Sequence, residues 1–183
     1  MATINKFPVV FLDRDGTIIV DKIFLNNPDE IEFLDGVIEG LKKLYDEGYK
    51  LVVVTNQSGI ARGIVQIENL YAIHRKISEI LKQYGVEIYK YYFCPHMPDS
   101  GCECRKPKTG AVKEIIEQVD KEKSFVVGDK DTDIGFGKNL GVKTILLSST
   151  EDISQFQWEP DFVAKNFSEA VDIILKTRRY NGK

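Results

Sequence analysis

Short apolar runs, FPVVFL, KLVVVT, VEIYKYYF, SFVVG and VKTILL, alternate along the chain with the longer segments VIEGLKKLYDEG, QIENLYAIHRKISEILKQYG, TGAVKEIIEQVD and DTDIGFGKNLG. Runs this short and this rich in β-branched and aromatic residues suit strands covered on both faces, and the mixed segments suit the helices that cover them. The alternation predicts a doubly wound α/β fold with a mainly parallel sheet. Gly48, Gly85 and Gly141 stand where helices should stop, and Thr109 can cap a helix over TGAVKEIIEQVD. After Leu147 the stretch SSTEDISQFQWEP reads as a loop, with Trp158 as a packing residue, before a short strand around Asp161 to Ala164 and a helix from Ser168. With no repeat, low-complexity tract or linker, residues 1–183 read as a single domain.

In open α/β sheets the chemistry sits just beyond the carboxyl ends of the strands. Four such ends carry polar residues of unusual density: Asp13-Arg-Asp15-Gly16-Thr17, then Thr55-Asn56-Gln57-Ser58-Gly59, then Arg105-Lys106-Pro107 after a cysteine loop, then Gly128-Asp129-Lys130-x-x-Asp133. Asp13 and Asp15 repel each other unless a cation intervenes, and Asp129 arriving from another strand makes an oxygen-rich site suited to Mg²⁺. An ionised Asp13 aimed at a phosphate is a nucleophile that yields an aspartyl-phosphate, with Asp15 as general acid and then base. Thr55, the neighbouring Asn56, Gln57 and Ser58, and Lys106 would hold the substrate. Each motif alone has a plainer reading: a calcium-loop fragment, a turn, a helix cap.

All three cysteines lie in CPHMPDSGCECRKP. Cys94, His96, Cys102 and Cys104 supply the donor set of a closed tetrahedral zinc site, and Cys102 and Cys104 are too close in sequence to bridge comfortably. His74 falls instead with Ile67, Leu70, Ile77 and Leu81 on one helical stripe, as a packed side chain.

Composition narrows the function. The 183 residues are 43% hydrophobic, enough for one ordinary core, and no run approaches the ~20 apolar residues that span a bilayer. A cytoplasmic protein without a membrane partner is expected. The net charge of −3 gives no general field for nucleic acid, so the partner expected is a small phosphorylated metabolite drawn by local cations. The sequence does not fix the oligomeric state, with a monomer favoured.

Asp13-x-Asp15-Gly-Thr, Thr55, Lys106 and Gly128-Asp129-x-x-x-Asp133 resemble the four motifs of the haloacid dehalogenase superfamily of phosphatases, from about Val9 to Leu147. Within it, LVVVTNQSGIARG, CPH followed by CECRKP, and VVGDKDTDI look like the zinc-containing D-glycero-D-manno-heptose 1,7-bisphosphate phosphatases, with the histidinol-phosphate phosphatases as close relatives. The resemblance implies a Rossmann-like, haloacid dehalogenase-like fold. It implies Asp13 as nucleophile, Asp15 as acid/base, Mg²⁺ on Asp13, Asp15 and Asp129, and phosphate contacts from Thr55, Lys106 and Lys130. Arg105 matches a position used in substrate recognition. The intervals between motifs leave no room for a cap domain, so a zinc-stiffened loop would shape the pocket and aim Arg105 and Lys106.

On specificity the resemblance is mixed. The five residues between His96 and Cys102 resemble the histidinol-phosphatase form, and Asp21, Asp29 and Glu30 could meet an amine. The segment IIVDKIFLNNPDEIEFLDGV is more heptose-like, although Ile23-Phe24 stands where many of those enzymes have Gly-Tyr. Removal of the C7 phosphate of a heptose 1,7-bisphosphate is the expected reaction, histidinol-phosphate hydrolysis the alternative. From another class, a catalytically idle, zinc-ordered binding module is the competing reading.

Overall fold

The computed structural model describes residues 5–149 and 153–181. Among them, six strands form one sheet in the order β3-β2-β1-β4-β5-β6, with every neighbouring pair parallel. They are β1 (Val9–Leu12), β2 (Lys50–Asn56), β3 (Lys90–Cys94), β4 (Phe125–Gly128), β5 (Lys143–Leu147) and β6 (Phe162–Ala164). The helices are α1 (Val37–Asp46), α2 (Ile67–Gln83), α3 (Asp131–Leu140) and α4 (Phe167–Asn181). No cap domain stands over the sheet among the described residues.

Strand pleating explains the two cores. Val10 and Leu12 of β1, with Leu51 and Val53 of β2, bury against Leu41 and Leu44 of α1, Ile73 and Ile77 of α2, and Val171 and Ile174 of α4. Their neighbours Val9, Phe11, Val52 and Val54 point through the opposite face to Val112, Ile115, Phe136 and Leu140. A sheet sandwiched this way has no solvent-facing side, which is why its central strands read as unbroken apolar runs.

One expected helix is absent. TGAVKEIIEQVD folds as 3₁₀ turns at Gly110–Val112 and Ile116–Gln118, and Thr109 makes no side-chain cap. Bonds between residues three apart, such as Ile115 N–H to Val112 O at 3.0 Å and Gln118 N–H to Ile115 O at 2.9 Å, turn Val112, Ile115 and Val119 inward. Val112, Ile115, Ile116 and Val119 are β-branched, which weakens the α-helix, and the Phe7 backbone ties down the end by pairing with Gln118 and Asp120. The apolar spacing was therefore satisfied without the helix. Gly48, Gly85 and Gly141 end their helices in the left-handed region as expected.

The winding reverses at β1. The chain runs outward from β1 through β2 to β3, then crosses back to lay β4 on the other side of β1. A crevice opens where connections leave in opposite directions, and Asp13 and Asp129 leave the adjacent ends of β1 and β4 there.

Candidate active site

Lys106 occupies the centre of this crevice. Its Nζ donates to Asp13 Oδ1 at 2.9 Å, Asp133 Oδ1 at 2.6 Å and the Val54 carbonyl at 2.6 Å, and the residue is only 4% exposed. All three ammonium donors are satisfied. Burial works against the charged ammonium, but the charges of Asp13 and Asp133 outweigh it and raise the lysine pKa. For Asp13 burial pulls upward, and the charge and hydrogen bond of Lys106, joined by Lys130, hold it below the usual carboxylate range. Asp13 is thus a buried carboxylate kept ionised.

The backbone of Lys106 is fixed by Asn56. The Asn56 amide accepts from Lys106 N–H at 3.0 Å and donates to the Lys106 carbonyl at 3.3 Å. Asp133 in turn accepts the backbone N–H of Lys130 at 3.0 Å, which locks the start of α3 to the lysine it pairs with.

Asp13, Asp129 and Asp133 each offer an oxygen within 4.8 Å of the others. Burial first, and the charge of Asp13 second, push Asp129 up to about 7. Its buried Oδ1 has no hydrogen-bond partner among the described residues. A carboxylate this poorly compensated beside a second one fits a hard divalent cation, and Asp133 is already paired with Lys106. Gly16 makes room: with φ at +85°, a β-carbon there would lie 2.3 Å from Asp129 Oδ2.

The side chain of Asp15 does not join this group; of the three residues expected on Mg²⁺, the carboxylates that meet here are those of Asp13 and Asp129. The Asp15 oxygens face the other way, held by the fork of Arg14 at 2.9 to 3.2 Å and by the Gln57 amide at 2.8 Å. The reason is electrostatic, since a buried guanidinium on the adjoining residue takes both oxygens at once. The Gln57 nitrogen also donates to Thr55 Oγ1 at 2.8 Å. Asn56 and Gln57, expected to bind substrate, thus spend these polar groups on Lys106, Thr55 and Asp15, although both line the mouth.

That mouth is a hollow of about 180 Å³ walled by Asp15, Asp21, Phe24, Asn56, Ser58 and Lys130, with Ile23 and Gln57 beside them. Lys130 Nζ lies 3.5 Å from Asp21 Oδ2. Burial lowers its pKa, but Asp13 and Asp129 win and raise it. Asp29 and Glu30 sit on an exposed 3₁₀ turn and do not line this hollow.

The cysteine loop follows β3. Sulfur and imidazole atoms converge: Cys94 Sγ is 3.5 Å from both His96 Nδ1 and Cys102 Sγ, His96 Nδ1 is 3.2 Å from Cys104 Sγ, and the Cys102 and Cys104 sulfurs are 3.8 Å apart. Four donors on a tetrahedron around zinc, with bonds of ~2.3 Å to sulfur, stand ~3.8 Å apart. The set fits zinc without rearrangement. Arg105 emerges beside it, its Nη1 3.4 Å from the His96 carbonyl, and with Lys106 and Lys108 lines a second hollow of about 390 Å³. Trp158 is a packing residue, its indole lying against Gly135 of α3.

The parallel sheet, the switch-point carboxylates and the buried lysine define a haloacid dehalogenase-like phosphatase. Residues 8–156 match the family model described as polynucleotide kinase 3 phosphatase. The D-glycero-beta-D-manno-heptose-1,7-bisphosphate 7-phosphatase of Helicobacter pylori J99 is 36% identical over 95% of this chain and 99% of its own. The histidine biosynthesis bifunctional protein HisB of Campylobacter jejuni is 39% identical over 74% of this chain but 40% of its own length. The crystal structure of the D,D-heptose 1,7-bisphosphate phosphatase from B. bronchiseptica, complexed with magnesium and phosphate, superposes with a TM-score of 0.83. It is 32% identical and covers 92% of this chain and 98% of that one. This chain belongs to the D-glycero-D-manno-heptose 1,7-bisphosphate 7-phosphatase family of these phosphatases.

Proposed function

We propose that the protein removes the C7 phosphate of D-glycero-β-D-manno-heptose 1,7-bisphosphate through an aspartyl-phosphate on Asp13. The observation that carries this reading is Lys106 Nζ bridging Asp13 and Asp133 in a buried crevice, which keeps the nucleophile charged. Asp13 attacks phosphorus and the C7–O–P bond breaks on the oxygen side of phosphorus. Asp15, steadied by Arg14 and Gln57, gives the departing alkoxide its proton, then takes one from the water that hydrolyses the acyl phosphate. Thr55 steadies the phosphoryl oxygens with Lys130 at the mouth, and Lys106, whose three donors are taken, adds its positive charge beside them. Asp13 and Asp129 would hold Mg²⁺, which when bound neutralises phosphoryl charge.

Zinc in this reading is structural, because four protein donors leave no open position. It stiffens the loop that aims Arg105 at the substrate. The net charge of −3 supports a small phosphorylated sugar over a nucleic acid as partner. The same reading places the protein in the cytoplasm, and no helix among the described residues is long and apolar enough to cross a membrane.

Histidinol phosphate is the second reading, favoured by the short zinc loop. Of the three carboxylates that could meet its amine, Asp21 alone lines the mouth, already paired with Lys130. The test is kcat/KM for both substrates under one Mg²⁺ concentration and pH, with a 3′-phosphorylated oligonucleotide as a third arm. A tenfold preference for histidinol phosphate, about 1.4 kcal/mol, would overturn the substrate while leaving the aspartyl-phosphate intact.

A further inference from the structure

Arg14 stands between the two aspartates of the first motif, and its guanidinium is 1% exposed. Its Nε and Nη2 grip Asp15, and its Nη1 lies 3.4 Å from Nε2 of His74, on α2. A guanidinium has only donors, so Nε2 of His74 must accept and the ring must be neutral, with its proton on Nδ1. Burial first, then the charge of Arg14, pulls the His74 pKa down to about 3, in keeping with a neutral ring.

The histidine is itself fixed. Its ring stacks on Tyr91 of β3, with centroids 4.4 Å apart and planes 14° from parallel, and the Tyr91 hydroxyl lies 2.8 Å from Ser78 Oγ, back on α2. A chain of contacts therefore runs from α2 and β3 through His74 and Arg14 to Asp15.

We propose that His74 is a positioning residue for the reaction, holding the Arg14 fork in the plane that orients the Asp15 carboxylate toward the leaving oxygen. The inference rests on Asp15 being the general acid. With two of its oxygens' directions taken by Arg14 and one by Gln57, Asp15 has little freedom left, and it faces the mouth. Without the acceptor at Nε2, one edge of the guanidinium loses its partner and the fork can turn about its last torsion. A histidine that only filled space would affect stability and every substrate alike.

Leaving groups separate the two roles. An alkyl phosphate needs its departing oxygen protonated, whereas p-nitrophenyl phosphate does not, and kcat/KM reports steps up to loss of the leaving group. The experiment compares kcat/KM for p-nitrophenyl phosphate with that for the alkyl monoester the wild-type enzyme hydrolyses best, in His74→Phe, His74→Gln and Asp15→Asn. We expect His74→Phe to lose roughly tenfold on the alkyl ester and under about twofold on the aryl ester, a misalignment-sized loss. The alkyl KM should hold, and His74→Gln, which restores an acceptor, should recover most of the loss. If Asp15→Asn is selective for the alkyl ester and His74→Phe is not, the positioning role is overturned alone. If Asp15→Asn hits both esters equally, the assignment of Asp15 as acid falls and the role of His74 with it. Should His74→Phe fail to fold, Arg14→Lys, which keeps charge but loses the fork, must show the same alkyl selectivity or the proposal is wrong.

Discussion

Lys106 Nζ and Asp13 Oδ1 meet at 2.9 Å although 93 residues separate them in the chain. The pair is buried on both sides, and Asp133 completes a triad around one ammonium. Removing the lysine alone strands two carboxylates, which is far costlier than never having buried them. Lys106→Met should therefore lose about 3–5 kcal/mol of stability, measured by urea unfolding, along with turnover. The variant should also regain stability as pH falls. Burial, then the charge of Asp13, already raises Asp133 to about 6, above its unfolded value, so the folded form takes up protons first and is favoured on the acid side.

Asp13→Asn removes charge while keeping shape. Turnover should fall to background with the melting temperature unchanged within a few degrees, and beryllium fluoride should form an adduct on Asp13 in the native enzyme but not in the variant. Retention of most activity would rule out the covalent route.

Gly16→Ala should strike the metal more than the phosphate. The added methyl would overlap Asp129 Oδ2 and force a left-handed φ on alanine, so Asp129 must swing away. The Mg²⁺ concentration for half-maximal activity should rise at least about tenfold, while thermal stability falls. An unchanged Mg²⁺ requirement would remove Asp129 from the ligand set.

The cysteine loop should carry one zinc per chain by elemental analysis of protein prepared without chelator. Cys102→Ala should lose it, loosening Arg105 and Lys108 around the 390 Å³ hollow and raising KM more than it lowers kcat. A brief EDTA treatment should stop the wild-type reaction until Mg²⁺ is returned. Full zinc content in Cys102→Ala would show that the four donors do not act together.

Strands, their order of burial and the residues at their carboxyl ends were legible because each reads from adjacent positions: an apolar run, then Asp13, Thr55 or Asp129. The zinc donors were legible because chelate spacing is local. Arg14 and His74 were not singled out as partners, although a signal existed. Val10, Leu12 and Arg14 share one face by strand pleating, and α2 packs on that face through the stripe that contains His74. What spacing leaves open is side-chain direction, so neither the grip of Arg14 on Asp15 nor that of Asn56 on the Lys106 backbone could be read from it. The missing helix after Thr109 marks the same limit, since an apolar pattern at three and four residues suits turns of either kind.

The loop between His96 and Cys102 is exposed from Pro98 to Gly101 and lies on the connection that crosses from β3 to β4. A metal on the four donors at its roots would isolate whatever lies between them from Lys106, whose place is held separately by Asn56 and Asp133. If the loop touches the substrate, selection could lengthen, shorten or recharge those few residues to admit a different alcohol without disturbing the bond-breaking step. In such a molecule, recognition and reactivity are inherited as separable traits, and related enzymes can diverge in diet while sharing one reaction.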